Sequence, residues 1–187
     1  TSLTVMDIIP THHLLDDLHQ SVAKAYYHWF FLAQPAPFPE TLITADPDYF
    51  YQSCLLGWGA ATLDQFPANQ LDAYRQAWRN PEAIRGMCED YRAALSDDFD
   101  LDTTDLNRML TCPALVLSGS DGIMDRMFDM QGVWAPRLAN MRYIAVRGGH
   151  FFVDQNPDET LKHLQHFLND LQSVSYTHLR AHETRIH

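Results

Sequence analysis

Three polar residues, Asp7, Asp121 and His150, lie where apolar segments that resemble buried strands come to an end. In parallel sheets, functional side chains gather at the carboxyl ends of the strands. A histidine held by a carboxylate can act as a general base, because the carboxylate fixes the tautomer of the imidazole and stabilises the imidazolium that forms. These residue types predict acyl or alkyl transfer, with His150 as the base and one of the two aspartates as its partner.

Two glycines, Gly148 and Gly149, come directly before His150. Because glycine lacks a Cβ atom, the pair allows a sharp turn out of the sheet and leaves the imidazole over its edge. The alternative interpretation is a glycine turn followed by a histidine that is merely exposed.

Strands that alternate with helices would position these residues. Strands are predicted over residues 3–9, 113–117 and 141–146, and helices over residues 127–138 and from Pro157 onward. This order is typical of parallel βαβ units, so we predict an α/β fold.

Residues 11–100, between the first two strands, carry helical patterns throughout. Helices are predicted over residues 14–33, 47–56, 69–78 and 81–95. Asp46 and Asn80 are predicted N-caps, since each precedes a proline at the first helical position. The acidic run 97–102 is interpreted as a solvated linker, because it lacks the glycine and the distal glutamate of a calcium loop.

The composition narrows the class of partner. The net charge of −11 repels phosphate backbones and anionic lipid surfaces, so nucleic acid and membranes are not expected partners. No apolar run approaches the roughly 20 residues that span a bilayer, and the N-terminus does not resemble a secretion signal. We therefore predict a cytoplasmic protein that acts on a small molecule.

Metal and disulfide sites are not expected. The histidines at positions 12, 13, 163, 166, 178 and 182 lack Asp, Glu or Cys residues at spacings that would complete a metal site. Cys54, Cys88 and Cys112 are odd in number and widely spaced, and are expected to be small core residues.

The order of an acid followed by His150, with the histidine before the last helix, matches the triad order of α/β-hydrolases, in which the nucleophile comes first. The chain contains no G-x-S-x-G motif, and residues 118–122 follow the wrong strand to carry a nucleophile. We expect the nucleophile to lie upstream of Thr1, since the chain opens inside an apparent strand.

Four segments resemble haloacetate (fluoroacetate) dehalogenases of the α/β-hydrolase superfamily. They are Val5-Met6-Asp7-Ile8-Ile9-Pro10-Thr11, Tyr27-His28-Trp29-Phe30-Phe31-Leu32-Ala33-Gln34-Pro35, Ala45-Asp46-Pro47-Asp48-Tyr49-Phe50 and Met87-Cys88-Glu89-Asp90-Tyr91-Arg92-Ala93. The resemblance covers about residues 3–170. It implies a C-terminal fragment with a truncated α/β-hydrolase fold, in which parallel strands and helices carry an inserted all-helical cap.

The resemblance also implies a division of the chain. Residues 1–10 would be a core strand carrying the triad acid, residues 11–100 the helical cap, and residues 101–172 the C-terminal part of the hydrolase core. Residues 173–187 lose the apolar periodicity and resemble translated vector sequence, so we expect a tail that is not native.

The implied activity is hydrolytic dehalogenation of a short haloacid through an Asp-ester intermediate, without a cofactor. Asp7 would hold His150, and His28, Trp29 and Tyr91 would bind the halide. From periodicity alone, a packing role is the favoured interpretation of these three residues. Asp121 is a rival acid because many α/β-hydrolases place the acid after that strand. An epoxide hydrolase, a serine ester hydrolase and an inactive fragment are the alternative functions, and a homodimer is an option for the complete protein.

Overall fold

A computed structural model describes residues 1–16, 18–57 and 60–183, with side chains through residue 171. Its strands are parallel and lie side by side in chain order: β1 (Leu3–Met6), β2 (Leu110–Gly119) and β3 (Leu138–Val146). Val116 in β2 is paired with Val5 of β1 and Tyr143 of β3. The predicted α/β fold with parallel strands is confirmed.

Helices fill the connection between β1 and β2. They are α1 (Thr11–Asp16), α2 (Gln20–Ala25), α3 (Tyr27–Leu32), α4 (Phe38–Ala45), α5 (Pro47–Leu56), a 3-10 turn (Leu63–Gln65), α6 (Ala68–Trp78), α7 (Pro81–Ala94) and α8 (Asp97–Thr104). Helices α9 (Ile123–Met127) and α10 (Met130–Trp134) connect β2 to β3, and α11 (Phe152–Gln155) and α12 (Pro157–Glu183) follow β3.

The two predicted N-caps are present. The Asp46 side chain accepts a hydrogen bond of 3.0 Å from the backbone N–H of Tyr49, and α5 begins at the next residue, Pro47. Asn80 caps α7 in the same way through the N–H of Glu82, also at 3.0 Å. Each cap satisfies an N–H that would otherwise lack a partner in the first turn.

The single long helix predicted over residues 14–33 is wrong, because α1, α2 and α3 replace it. His19 is extended, and Tyr26 interrupts the helix between α2 and α3. In one unbroken helix, residues two positions apart, such as Tyr26 and His28, would be separated by about 200° around the axis. The interruption therefore allows both Tyr26 and His28 to be buried.

The helix predicted over residues 127–138 is also wrong. Phe128 is extended and separates α9 from α10. The Asp129 side chain then caps α10 by accepting a hydrogen bond of 3.1 Å from the N–H of Gly132. The local capping interaction starts a new helix where the apolar periodicity suggested a continuous one.

The acidic run 97–102 forms the start of α8, so its interpretation as a linker is wrong, although residues 97, 98, 100 and 101 are exposed to solvent as predicted. Three aspartates lie in the first turn of α8, where negative charge is stabilised by the helix dipole. The half-buried Asp102 forms an ion pair with Arg137 and accepts a hydrogen bond of 3.0 Å from the N–H of His12. Helix α8 crosses residue 100, where the cap was predicted to end.

Strand β2 is covered on both faces. Leu115 and Leu117 pack with Phe152 and Phe167 on one face, while Val116 packs among partly buried residues on the other. Full burial of each such side chain contributes about 1.5–3 kcal/mol. The carboxyl end of β2 is therefore packed on both faces beneath the loops that follow the strands.

Helix α12 begins at Pro157, as predicted, and continues past Ser173 to Glu183. No helix boundary marks the predicted start of the tail, and its origin stays a prediction; residues 184–187 lie outside the described residues. None of the described helices combines the length and the apolar character needed to cross a membrane.

Candidate active site

The side chains of Asp7 and His150 are in direct contact at the carboxyl edge of the sheet. Oδ2 of Asp7 lies 2.6 Å from Nδ1 of His150. Oδ1 of Asp7 accepts a hydrogen bond of 2.9 Å from the backbone N–H of Gly119, at the end of β2. Asp7 is 3% exposed and both of its carboxylate oxygens are engaged, so it can fix the orientation of the imidazole.

The backbone of Asp7 is what directs this side chain toward β2. Its N–H donates a hydrogen bond of 2.8 Å to the carbonyl of Leu117, which extends the β1–β2 pairing by one residue. Its φ of 49° lies in the left-handed region, which aspartate tolerates better than most residues. The chain therefore leaves the sheet at Asp7, and the carboxylate stays at the strand ends.

Glycines allow the loop that carries His150 to pack on the end of β2. A Cβ atom at Gly119 would lie 2.1 Å from the carbonyl oxygen of Gly149. Gly148 has a φ of 132°, which side-chain-bearing residues rarely adopt. The predicted turn is present, and it brings His150 to Asp7.

Asp121 occupies a different place from Asp7. It is exposed, and its side chain lines a separate surface depression together with Arg147 and Gln155. Its backbone N–H donates a hydrogen bond of 2.8 Å to the carbonyl of Gly148. Asp121 thus supports the glycine turn through its backbone, whereas the carboxylate against His150 belongs to Asp7.

A cavity of about 160 Å³, which we call the small cavity, lies beside the Asp7–His150 pair. The residues that line it are Asp7, Ile8, Tyr26, His28, Trp29, Tyr91, Ile123, Met124 and His150. The structure therefore brings all the predicted site residues to one cavity, although they come from the end of β1, from α3, from α7 and from the loop after β3.

Aromatic contacts hold one side of the small cavity together. The ring of Tyr91 is nearly perpendicular to the rings of His28 and Trp29, with centroid distances of 5.9 and 5.4 Å. Edge-to-face pairs of this kind are favourable. His28, Trp29 and Tyr91 therefore pack against one another, as periodicity suggested, and also line the small cavity.

The protonation states of two of these residues follow from burial. Burial, with a smaller contribution from the charge of His150, lowers the pKa of His28 from 6.5 to about 4. Burial also raises the pKa of Tyr91 to about 12. At neutral pH His28 is uncharged with one N–H, and Tyr91 keeps its O–H, so each can donate a hydrogen bond.

Tyr26 is a cavity residue that the sequence analysis missed. It is 8% exposed, and its ring lies 5.9 Å from that of His28. Burial and the negative charge of Asp7 raise its pKa, so the hydroxyl stays protonated. Its position next to the segment that begins at Tyr27 was the available signal, but the assumption of one continuous helix placed it on the face opposite His28.

The cysteines lie apart from the small cavity, and each is a free thiol. Cys54 and Cys88 are buried, and Cys112 is half-buried. Among the described residues, no group of three or more His, Cys, Asp or Glu side chains is arranged to hold a metal ion.

Sequence comparison relates the chain to a named enzyme. The chain is 56% identical over 172 residues to a fluoroacetate dehalogenase from Burkholderia sp, and the match covers 92% of this chain. It spans 57% of the length of that relative. No protein-family model matches the chain.

Solved structures confirm the fold. A protein from Nostoc sp PCC 7120 described as an α/β hydrolase matches with a TM-score of 0.85 and 39% identity, over 89% of this chain and 57% of that one. A Pseudomonas aeruginosa protein described as an epoxide hydrolase matches with a TM-score of 0.83 and 31% identity, over 92% of this chain and 58% of that one. The predicted fold class and the predicted resemblance are both supported.

Proposed function

We propose that this chain supplies the base and the halide-binding side of a haloacid dehalogenase. The premise is its α/β-hydrolase fold and its sequence similarity to a fluoroacetate dehalogenase. The substrate would be a short haloacid such as fluoroacetate or chloroacetate. The observation that supports this most strongly is the contact of Asp7 with His150 beside a cavity that also contains His28, Trp29 and Tyr91.

The reaction would proceed in two steps. An aspartate outside these 187 residues would attack the carbon that bears the halogen, so that a C–O bond forms, the C–halogen bond breaks and halide leaves with the bonding electrons. Water would then attack the carbonyl of the resulting ester and release the hydroxy acid and the aspartate. His150 would accept the proton of this water. Since Nδ1 contacts Asp7, Nε2 is the nitrogen that would take the proton.

The departing halide would be stabilised by donors that are already in position. His28 and Tyr91 remain uncharged donors at neutral pH, and Trp29 adds an indole N–H. Fluoride is a poor leaving group, so donors placed where its charge develops lower the barrier of the first step. The cavity of about 160 Å³ suits a substrate with few atoms.

The test uses the complete protein, with fluoride release from fluoroacetate measured by an ion-selective electrode. His150→Asn should release about one equivalent of fluoride and then stop, with the enzyme gaining the mass of one carboxymethyl group, because the ester forms but is not hydrolysed. Asp7→Asn should reduce turnover by about 10⁴-fold.

Asp121→Asn is the matched control for the acid, since it removes a carboxylate that lies outside the small cavity. It should retain most of the parent turnover. If Asp121→Asn abolishes activity and Asp7→Asn does not, the assignment of the acid is wrong. If the complete protein releases no halide from fluoroacetate or chloroacetate, the proposed reaction is wrong.

An epoxide hydrolase is the second candidate, and one observation favours it. Tyr26 and Tyr91 both line the small cavity with protonated hydroxyls. Epoxide opening needs acids of this kind to protonate the ring oxygen. This second candidate is correct if the complete protein turns over styrene oxide and releases no halide from haloacids, and if Tyr26→Phe and Tyr91→Phe each lose that turnover.

A further inference from the structure

A second cavity, of about 480 Å³, lies in the helical region next to the small cavity. We call it the apolar compartment. Its walls are formed mainly by Phe50, Tyr51, Leu55, Trp78, Met87 and Phe151. His28 and Tyr91 line both cavities, so these two residues form part of a wall that the two spaces share.

Two of the aromatic residues in the wall, Trp78 and Tyr51, have polar atoms that already contact partners within the protein. Trp78 donates its indole N–H to Asp48 at 2.8 Å, and the hydroxyl of Tyr51 lies 3.4 Å from the sulfur of Met87. The rings of Tyr51 and Trp78 are stacked, with an interplanar angle of 1°. A ligand would therefore meet a preformed apolar surface and would not have to supply hydrogen bonds to these groups.

One carboxylate, that of Asp154, is part of the lining. It accepts hydrogen bonds from the hydroxyl of Tyr74, at 2.9 Å, and from the amide of Gln70. An anionic ligand would be repelled by this carboxylate in surroundings of low polarity. The compartment is therefore unsuited to the carboxylate of a haloacid and suited to an uncharged group.

Two alanines mark the opening of the apolar compartment to solvent. Ala77 on α6 and Ala83 on α7 line the compartment and are exposed. Their side chains are single methyl groups, so a larger side chain at either position would extend over this exposed part of the wall. Ala77 and Ala83 therefore line the same apolar compartment as His28 and Tyr91, the residues that it shares with the small cavity.

Volume then selects the kind of ligand. An apolar cavity of about 150 Å³ is enough to bind benzene, and sites for small organic molecules enclose about 300–1,000 Å³. We propose that the apolar compartment binds an uncharged, single-ring aromatic group or an alkyl group of similar size, entering between Ala77 and Ala83. This proposal does not depend on the dehalogenation reaction, because binding can be measured without turnover.

The experiment measures binding of 4-fluorotoluene to the 187-residue chain by the broadening of its ¹⁹F NMR line. The parent chain should bind, and Ala77→Trp should weaken binding by roughly tenfold or more because the indole fills the opening. Ala73→Trp is the matched control: Ala73 is exposed on the same helix, one turn earlier, and its substitution should leave binding unchanged. Circular dichroism of each variant establishes that it is folded, and Ala83→Trp replaces Ala77→Trp if the latter does not fold.

A probe of similar size but opposite polarity tests the role of charge. 4-Fluorobenzoate should bind roughly tenfold more weakly than 4-fluorotoluene because it would bring a carboxylate near Asp154. The proposal is overturned if the parent chain does not bind 4-fluorotoluene, if Ala77→Trp and Ala73→Trp bind it equally well, or if 4-fluorobenzoate binds as tightly as the neutral probe.

Discussion

Replacing His28 with phenylalanine should remove a specific part of the acid sensitivity of this fold. His28 is 4% exposed, and its burial lowers its pKa from 6.5 to about 4. The unfolded chain therefore binds this proton more tightly than the folded chain does. The resulting stability is fully present above about pH 6.5 and is lost as the pH falls toward about 4.

The size of the effect follows from the same two values. At about 1.4 kcal/mol for each pH unit that separates them, the full difference is about 3–4 kcal/mol in the free energy of unfolding. Phenylalanine keeps an aromatic ring against Tyr91 and cannot be protonated. The stability of His28→Phe should therefore fall less steeply between about pH 7 and pH 4 than that of the parent chain.

Urea unfolding followed by circular dichroism at several pH values measures this difference. His166→Phe is the control, because His166 is exposed on α12 and its loss removes a histidine from the surface only. The control should follow the parent profile. Parallel profiles for the parent chain and His28→Phe would refute the reasoning, since they would mean that burial does not disfavour the protonated imidazole.

Two further predictions concern the packing that positions the site. Gly119→Ala should destabilise the chain by about 1–3 kcal/mol, because the new Cβ would overlap the carbonyl of Gly149. Gly86→Ala in α7, where no atom lies within 4 Å of the added Cβ, should stabilise it by about 0.5–1 kcal/mol. Chemical denaturation compares the two variants, and equal effects would contradict the close approach at Gly119. Phe152→Ala should lower the free energy of unfolding by about 3–5 kcal/mol, because the Phe152 side chain is fully buried between β2 and α12. Its neighbour Val153 is 45% exposed, so Val153→Ala should lower it by well under about 1 kcal/mol. Similar losses at the two positions would show that α11 does not bury Phe152 as described.

The sequence predicted those features that depend on neighbouring residues. Aspartate or asparagine followed by proline marked the starts of α5 and α7, since a cap and a fixed φ act within one turn of helix. A continuous apolar run marked β2, because a strand buried on both faces needs no polar alternation. The residues of the candidate site were also identifiable, because their segments resemble a known family.

Helix interruptions were not predictable in the same way. Tyr26 and Phe128, the residues at the two breaks, contact each other and pack in one cluster with Tyr143 of β3, although they lie far apart in the chain. The acidic run at α8 was misinterpreted for the same reason, because its partner Arg137 lies 35 residues further along the chain. Local patterns do not contain this information.

By itself, the sequence determined the parallel α/β arrangement, the helical connection between the first two strands and the candidates His150, Asp7 and Asp121. The resemblance named Asp7 as the partner of His150 and left Asp121 as a rival, and the tertiary structure brings the carboxylate of Asp7 against His150 while Asp121 lies exposed in a separate depression. Only the tertiary structure brought Tyr26 to the small cavity and enclosed the apolar compartment beside it. Cavities form between elements that are far apart in the chain, so their shape is fixed by packing and not by the order of residues.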